Sequence, residues 1–249
     1  MSSERQLDNT NNPWWGEHIH RYEEAARIIE KNQKTILDIA CGTGFGSHYL
    51  ATLGHKVVGA DISERAIEEC RKKYMATTLE FKVVDGTNIP YENEHFDSIV
   101  SFETIEHTRD FEKMLNEFKR VVKQNGVVII STPNFLVNSP DGYVVNPYHT
   151  QEWEFDELKK ILSDVFQDVQ LFGQKYSRYD LNGVRNKTGE FLEKIMYKRG
   201  IRKLPIKFQD MIMRLIIKKP MYPTKEDYVL VTDLSLIVKC KTFFAVCRK

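Results

Sequence analysis

Two carboxylates and two histidines in this chain could support acid–base or metal chemistry. Glu103 and Glu106 are three residues apart, His107 follows directly, and His149 stands farther along the chain. If residues 103–107, the acid–histidine segment, form a helical turn, the two carboxylates lie on one side of it and the His107 imidazole lies next to them. The four residues together offer a mixed oxygen and nitrogen ligand set, compatible with Mg, Mn, Fe or Zn. Without a metal, His149 is the first candidate for a general base and His107 the second.

A parallel sheet is expected to position these groups. Residues 96–102 form an apolar strand that ends just before Glu103, and a helix is expected from about Arg109 to Lys123. The strand at 127–131 precedes the loop that carries His149. Ligands bind at the carboxyl ends of strands in open α/β sheets. Both histidines are therefore predicted at the edge of the sheet where a ligand would bind.

A glycine loop supplies a second site at the same edge. Residues 35–39 read as a strand, Gly42, Gly44 and Gly46 alternate after it, and residues 45–53 have helical composition. Strand, glycine loop and helix form a nucleotide-cofactor geometry, because glycines allow close approach and the helix N-terminus favours a negative group. Asp61, about twenty residues past the glycines, ends the next strand and is placed to bond ribose hydroxyls.

The pattern from Asp38 to Gly46, Asp-x-x-x-Gly-x-Gly-x-Gly, resembles the first motif of class I S-adenosylmethionine (SAM) methyltransferases. The resemblance implies that the loop packs against the methionine part of SAM, that Asp38 lies near its positive charge and that Asp85 bonds the adenine amino group. A common Asp-Gly turn is the alternative for Asp85. The cofactor-binding residues expected on this basis are Asp38, Ala40, Gly42, Gly44, Asp61, Ile62, Asp85, Gly86 and Phe102.

An aromatic and basic segment precedes the first strand and leads into a helix ending near Lys31. It is either a helix packed on the domain by its aromatic residues or a lid whose polar residues face a substrate. His-x-x-Arg-Tyr before the glycine motif resembles bacterial methyltransferases of surface-glycan and natural-product pathways, in which this helix closes the active site. The substrate-facing residues expected on this basis are Trp15, His18, Arg21 and Tyr22.

The acid–histidine segment resembles two metal-using groups of the same class. Glu-x-x-Glu-His is similar to a motif of ubiquinone-pathway O-methyltransferases. Small-RNA terminal-ribose methyltransferases pair that motif with a later histidine before an aromatic and acidic helix start, and here His149 precedes Gln-Glu-Trp-Glu-Phe. Metal-independent members carry the motif too, so a structural or metal-free role remains an alternative.

Strands alternating with helices predict a Rossmann-like α/β fold. We expect seven mostly parallel strands, helices on both faces, an N-terminal lid helix and a helical insertion before the last strand. The resemblance makes the last strand antiparallel, between the fifth and sixth. The expected units are a cap at 1–34, a SAM-binding core at 35–176 and 234–249, and a basic helical insertion at 177–233. Between residues 182 and 225 the insertion carries twelve Lys and Arg against three acids.

The composition of the chain limits which kinds of binding partner are expected. The 249-residue chain has a formal net charge of +1, so no global field favours nucleic acid or membrane. No apolar run is long enough to span a bilayer. The four cysteines lack the spacing of a disulfide framework or a metal site, which indicates a protein of the reducing cytoplasm. The basic insertion is a solvated helical face, a cover for an anionic substrate or a weak membrane-surface contact, and its apolar face could form a homodimer.

The function expected from these observations is methyl transfer from SAM to an oxygen of a small molecule, most plausibly a sugar or glycan group in a bacterial pathway. A divalent metal such as Mg is an optional second cofactor. Methylation of terminal RNA ribose or of an amine is the alternative reaction. A non-catalytic SAM-binding protein is the alternative class, and the intact glycine loop with its acids argues against it.

Overall fold

A computed structural model describes residues 15–29, 34–176 and 224–249, together with Phe208, Asp210, Met211, Arg214 and Leu215. The helices are α1 (Trp15–Ile28), α2 (Phe45–Thr52), α3 (Glu64–Lys73), α4 (Phe111–Val121), α5 (Phe135–Asn138), α6 (Phe155–Val165) and α7 (Leu234–Ile237). The strands are β1 (Thr35–Ile39), β2 (Lys56–Asp61), β3 (Leu79–Val83), β4 (Phe96–Phe102), β5 (Val122–Pro133), β6 (Asp168–Tyr176), β7 (Tyr228–Val231) and β8 (Thr242–Arg248).

The strands form one mixed sheet in the order β3-β2-β1-β4-β5-β8-β6-β7. Strands β1 to β5 pair in parallel, whereas β8 is antiparallel to both of its neighbours, β5 and β6. The predicted insertion of the last strand between the fifth and sixth is therefore confirmed. The carboxyl ends of β1, β2, β4 and β5 meet at one edge, which carries the glycine loop and the acid–histidine segment.

Alternate residues of the central strands pack on opposite faces of the sheet, as the strand period requires. Leu37 and Ile39 belong to a core cluster with Phe118 of α4 and Leu162 of α6. Ile36, on the other face, packs with residues of α1 and α2. The predicted α/β sheet with helices on both faces is confirmed.

Eight strands are present among the described residues, where the sequence predicted seven. The additional strand is β7, which pairs antiparallel with the end of β6 from Gly173 to Tyr176. It occupies residues that were predicted to belong to a helical insertion. The five described residues between 208 and 215 are helical, and the rest of 177–223 lies outside the described residues.

Helix α4 ends at Val121, two residues before the predicted end at Lys123. Val122 pairs with Phe96 of β4, so the chain leaves the helix to join the sheet. Asn125 takes a left-handed φ of 63° within β5, where the pairing with β4 shifts register between Val122 and Val127. A Cβ at Gly126 would lie 2.8 Å from the Lys123 carbonyl oxygen, which explains the glycine there.

Within the part of the chain that is described, no helix is long and apolar enough to cross a bilayer.

Candidate active site

The glycine loop between β1 and α2 forms one wall of the site. Ala40 and Gly42 have left-handed φ values of 63° and 56°. Gly44 precedes α2 with φ 75°, and a Cβ there would lie 2.8 Å from the Cys70 sulfur, so both conformation and space require glycine. A Cβ at Gly42 would meet no atom within 4 Å, because this residue borders an open pocket.

Asp61, the last residue of β2, ties the loop to the neighbouring strand. Its carboxylate accepts hydrogen bonds from the Gly42 amide at 3.0 Å and from the Ser63 amide at 2.8 Å. It also lines the pocket, so an acid stands beside the loop at the position expected for a ribose partner.

The pocket has a volume of about 600 Å³, within the usual range for small-molecule sites. It lies between α1, the glycine loop, the ends of β4 and β5, and the start of β8. Its lining consists of Glu17, His18, Arg21, Tyr22, Ala40, Cys41, Gly42, Thr43, Phe45, Asp61, Phe102, Glu103, His107, Pro133, Asn138, Asn146, Tyr148, His149, Lys241 and Thr242.

Arg21 of α1 joins the helix to the pocket wall. Its guanidinium is buried, donates to the carboxylate of Glu17 at 2.5 Å and forms an ion pair with the carboxylate of Glu103, 3.2 Å away. Its Nε donates to Gln174 of β6 at 2.8 Å. A buried charge that has lost its hydration needs such partners, and here the two carboxylates supply them. The ion pairs therefore fix α1 against the sheet.

His18 precedes Arg21 by about one helical turn, and Tyr22 follows it directly. Burial, with the positive Arg21 adding to it, lowers the pKa of His18 to about 3, so its imidazole is neutral at pH 7. The Tyr22 hydroxyl donates to Asp38 at 3.1 Å. Trp15 packs on Phe45 with ring centroids 4.6 Å apart and does not line the pocket.

Asp38 lies behind the glycine loop rather than on the pocket wall. Its carboxylate is buried and accepts from the Ser47 hydroxyl at 2.5 Å as well as from Tyr22. Burial raises the pKa of Asp38 to about 7, even though both hydrogen bonds oppose that shift. This carboxylate therefore connects β1, α1 and α2 in the present geometry.

The acid–histidine segment forms the opposite wall. Glu103 has a φ of 51°; its carboxylate accepts from the Ser131 hydroxyl of β5 at 2.8 Å and forms the ion pair with Arg21. Glu106 is fully buried; one carboxylate oxygen accepts from Thr132 at 2.9 Å, and the other has no hydrogen-bond partner among the described residues. Burial, with the Glu103 charge adding to it, raises the pKa of Glu106 well above its usual range.

The two histidines come together as the sequence predicted. The rings of His107 and His149 are 4.9 Å apart in an edge-to-face arrangement. Glu106, His107 and His149 each offer a ligand atom, and these atoms lie within 4.8 Å of one another. The structure does not bring Glu103 into this group, since its carboxylate is turned to Arg21 and Ser131.

Residues 37–130 match the family profile described as a methyltransferase domain. A probable SAM-dependent methyltransferase of Mycobacterium tuberculosis is 29% identical over 177 residues, which cover 70% of this chain and 63% of that protein. The chain therefore carries a methyltransferase domain over residues 37–130 and is similar to SAM-dependent methyltransferases. The match thus spans less than two thirds of that relative's length.

Other similar proteins agree with this family. The phthiotriol/phenolphthiotriol dimycocerosates methyltransferase of Mycobacterium leprae is 32% identical over 111 residues, 44% of this chain and 41% of that protein. Two solved structures share the fold. One is a putative methyltransferase complexed with the Trm112 activator of Haloferax volcanii (TM-score 0.61, 18% identity, 94% and 91% of the two chains). The other is a possible histamine N-methyltransferase of Thermotoga maritima (TM-score 0.58, 16% identity, 95% and 93%).

The similarity to SAM-dependent methyltransferases implies SAM as the cofactor. The predicted cofactor residues divide into two groups. Ala40, Gly42, Asp61 and Phe102 line the pocket, whereas Asp38, Gly44, Ile62, Asp85 and Gly86 do not. Ile62 is 71% exposed just beyond Asp61. The exposed Asp85 accepts from the Thr87 amide at 2.8 Å, as an Asp-Gly turn would. Their contacts with SAM stay predictions.

The sequence reasoning missed several polar residues of this methyltransferase pocket. The pairing of Glu17 with Arg21 could have been predicted, because Glu17 stands four residues before Arg21 on one helix. Glu152, which bonds His149 from beneath the pocket wall, stands three residues after it. Thr242 and its neighbour Lys241 could be found only from the sheet order, which places Thr242 beside Pro133.

Proposed function

We propose that the chain transfers a methyl group from SAM to a hydroxyl oxygen of a small molecule. The observation that carries the proposal is His149, an imidazole on the pocket wall with a buried carboxylate behind it. A hydroxyl nucleophile must lose its proton to react, and a positioned imidazole can accept that proton. An amine that already carries a free lone pair has less need of such a base, so this arrangement favours oxygen.

The residues present fit SAM. The open side of Gly42, the Asp61 carboxylate and the pocket volume of about 600 Å³ leave room for a cofactor with a negative and a hydroxyl-bearing part. When bound, SAM supplies an activated methyl group on a sulfonium. The loop and Asp61 would hold it, while the ion pairs of Arg21 keep α1 over the pocket and exclude water.

The chain's own contribution to the reaction is alignment and proton removal. Holding acceptor and cofactor in line can supply about 7–11 kcal/mol of the barrier. His149 takes the proton from the acceptor hydroxyl, which typically contributes about 10²–10⁴-fold. His107 stands next to it as the second candidate for this step.

A sugar or glycan group is the acceptor class that we propose. The pocket lining includes hydrogen-bonding side chains, namely Asn138, Asn146, Tyr148, Lys241 and Thr242. Such a lining suits an acceptor with several hydroxyls. The relative from Mycobacterium leprae is named as a phthiotriol/phenolphthiotriol dimycocerosates methyltransferase.

A divalent metal is a second way to activate the hydroxyl. One observation favours it: the buried Glu106 oxygen without a partner among the described residues belongs to the group whose ligand atoms lie within 4.8 Å. Glu106, His107 and His149 would hold the ion, in a one-carboxylate, two-histidine set that suits Zn or Fe. A bound metal would lower the pKa of the acceptor hydroxyl.

Methylation of terminal RNA ribose, amine methylation and SAM binding without catalysis are the outcomes that the experiment must separate. The cytoplasmic location, a weak membrane-surface contact, a homodimer and the roles of 1–34 and 177–233 also stay predictions. No stable nucleic-acid partner is expected.

The test follows labelled methyl from SAM to three acceptor panels: sugars and nucleotide sugars, small amines, and RNA ends. We expect label in a sugar panel, and His149→Ala should lower that turnover by about 10²–10⁴-fold with SAM affinity unchanged. The exposed His95 provides the matched control His95→Ala. Label only in amines or RNA, or an unaltered rate in His149→Ala, contradicts the proposal. Repeating the assay with chelator and then with Mg, Mn, Fe or Zn tests the metal.

A further inference from the structure

Glu152 is a buried carboxylate that no part of the proposed reaction uses directly. Its side chain is 1% exposed. One oxygen lies 2.7 Å from His149 Nδ1, and the other accepts from the Ser139 hydroxyl, also at 2.7 Å. The Ser139 oxygen in turn accepts from the Val145 amide at 3.3 Å, which leaves its proton for Glu152. The Glu152 oxygen that faces Ser139 is therefore an acceptor, and a carboxylate oxygen facing His149 would accept a hydrogen bond from a protonated Nδ1.

The contacts of Nε2, the second ring nitrogen of His149, independently place the ring proton on Nδ1. The Tyr148 amide donates to the Asn146 side-chain oxygen at 3.0 Å, so the Asn146 side-chain nitrogen faces the opposite way. That nitrogen is a donor and lies 2.9 Å from His149 Nε2. Nε2 must then be the acceptor, and the single proton of a neutral ring must be on Nδ1.

We infer that Glu152 is a positioning residue that holds the proton of His149 on Nδ1 and keeps the Nε2 lone pair at the pocket wall beside Asn146. The consequence for turnover rests on the proposed function, whereas the position of the proton does not. Either role of His149, as a base or as a metal ligand, needs an unprotonated Nε2 that exchanges its hydrogen bond from Asn146 for the acceptor hydroxyl or the ion.

The geometry also fixes the ring in place. His149 is held at one nitrogen by Glu152 and at the other by Asn146, and Glu152 is held by Ser139. Removing the Glu152 acceptor would leave an Nδ1 proton buried without a partner, which favours transfer of that proton to Nε2. A protonated Nε2 can neither accept a proton from a hydroxyl nor bind a metal.

Two variants distinguish the hydrogen-bond acceptor of Glu152 from the packing of its side chain. Glu152→Leu removes the acceptor, whereas Glu152→Gln keeps an oxygen that can accept from Nδ1. Long-range proton–nitrogen NMR on histidine-labelled protein shows which ring nitrogen carries the proton, and His149→Ala identifies the signal. We expect the Nδ1 form in the wild-type protein and in Glu152→Gln, and a large share of the Nε2 form in Glu152→Leu. Glu112→Gln, an exposed glutamate, is the control.

Kinetics supply the second readout. Glu152→Leu should lower kcat by about 10²–10⁴-fold, with SAM affinity and acceptor KM within about twofold of wild type, and Glu152→Gln should regain at least about tenfold of that loss. A wild-type proton on Nε2 overturns the inference on its own, even if the leucine variant does not fold. An unchanged tautomer in Glu152→Leu also overturns it. A shifted tautomer with full activity in His149→Ala instead contradicts the proposed function and leaves the inference standing.

Discussion

Replacing Asp38 with asparagine is expected to stabilise the protein, increasingly so as the pH rises. Burial raises the pKa of Asp38 from its ordinary 3.8 to about 7 in the folded chain. Below about pH 4 the group is protonated in both folded and unfolded chains, and no penalty exists. Between the two pKa values only the folded chain keeps the proton, so the free energy of unfolding falls by about 1.4 kcal/mol per pH unit.

Over this interval the wild-type protein loses about 4 kcal/mol of stability. The asparagine side chain has no charge to desolvate, and its oxygen can still accept from Ser47 and Tyr22. The free energy of unfolding of the variant should therefore exceed that of wild type by about 0.5 kcal/mol at pH 4, about 1.5 kcal/mol at pH 5 and up to about 4 kcal/mol at pH 8.

Urea unfolding at pH 4, 5, 6, 7 and 8 measures this difference directly. Taking the difference between variant and wild type cancels the titration of the other buried groups. The exposed Asp156 provides the control Asp156→Asn, for which we expect no pH-dependent difference. A constant difference across the pH range, or a wild-type protein that is more stable at pH 8, would refute the reasoning.

Three further substitutions test the contacts of α1. Arg21→Leu should destabilise the protein by about 3–5 kcal/mol in urea unfolding, because two carboxylates lose their buried cation; a loss below about 1 kcal/mol would show that the pairs contribute little. Gly46→Ala should destabilise it by about 1–3 kcal/mol, since a Cβ there would overlap the Tyr22 ring; a gain in stability would contradict that packing. Tyr22→Phe should destabilise by about 1–3 kcal/mol by removing a donor from Asp38, which thermal unfolding can detect; an unchanged transition counts against that bond.

The parallel half of the fold could be predicted because its strands are buried on both faces and appear as short apolar runs between turn signals. The bounds predicted for β4, 96–102, coincide with those observed. Strand β7 was missed because its four residues are extended only by pairing with β6, which itself continues to Tyr176. The end of α4 was displaced for the same reason, since Val122 pairs with Phe96. Tertiary pairing, which has no local sequence signal, decided both.

The contacts of the candidate active site also divide into those that could be predicted from the sequence and those that could not. Sheet order brings His107 and His149 together, so their approach could be predicted from strand ends alone. The partners of Glu103 could not, because Arg21 reaches it from a helix near the start of the chain and Ser131 from the neighbouring strand. The support of His149 by Glu152 had only a three-residue spacing as its signal, which is weak outside a regular helix.

The measurement that tests the central claim most directly is titration calorimetry of SAM into chelator-treated protein, with the Asp61→Ala variant alongside. The account predicts saturable binding of SAM by the wild-type protein without added metal. It also predicts a loss of about 1–3 kcal/mol of binding free energy in Asp61→Ala, because a buried polar group of the cofactor loses its partner. Absence of binding in the wild-type protein, with or without Mg and Mn, would contradict the assignment of this pocket to SAM, and equal affinity in the variant would remove Asp61 from the site.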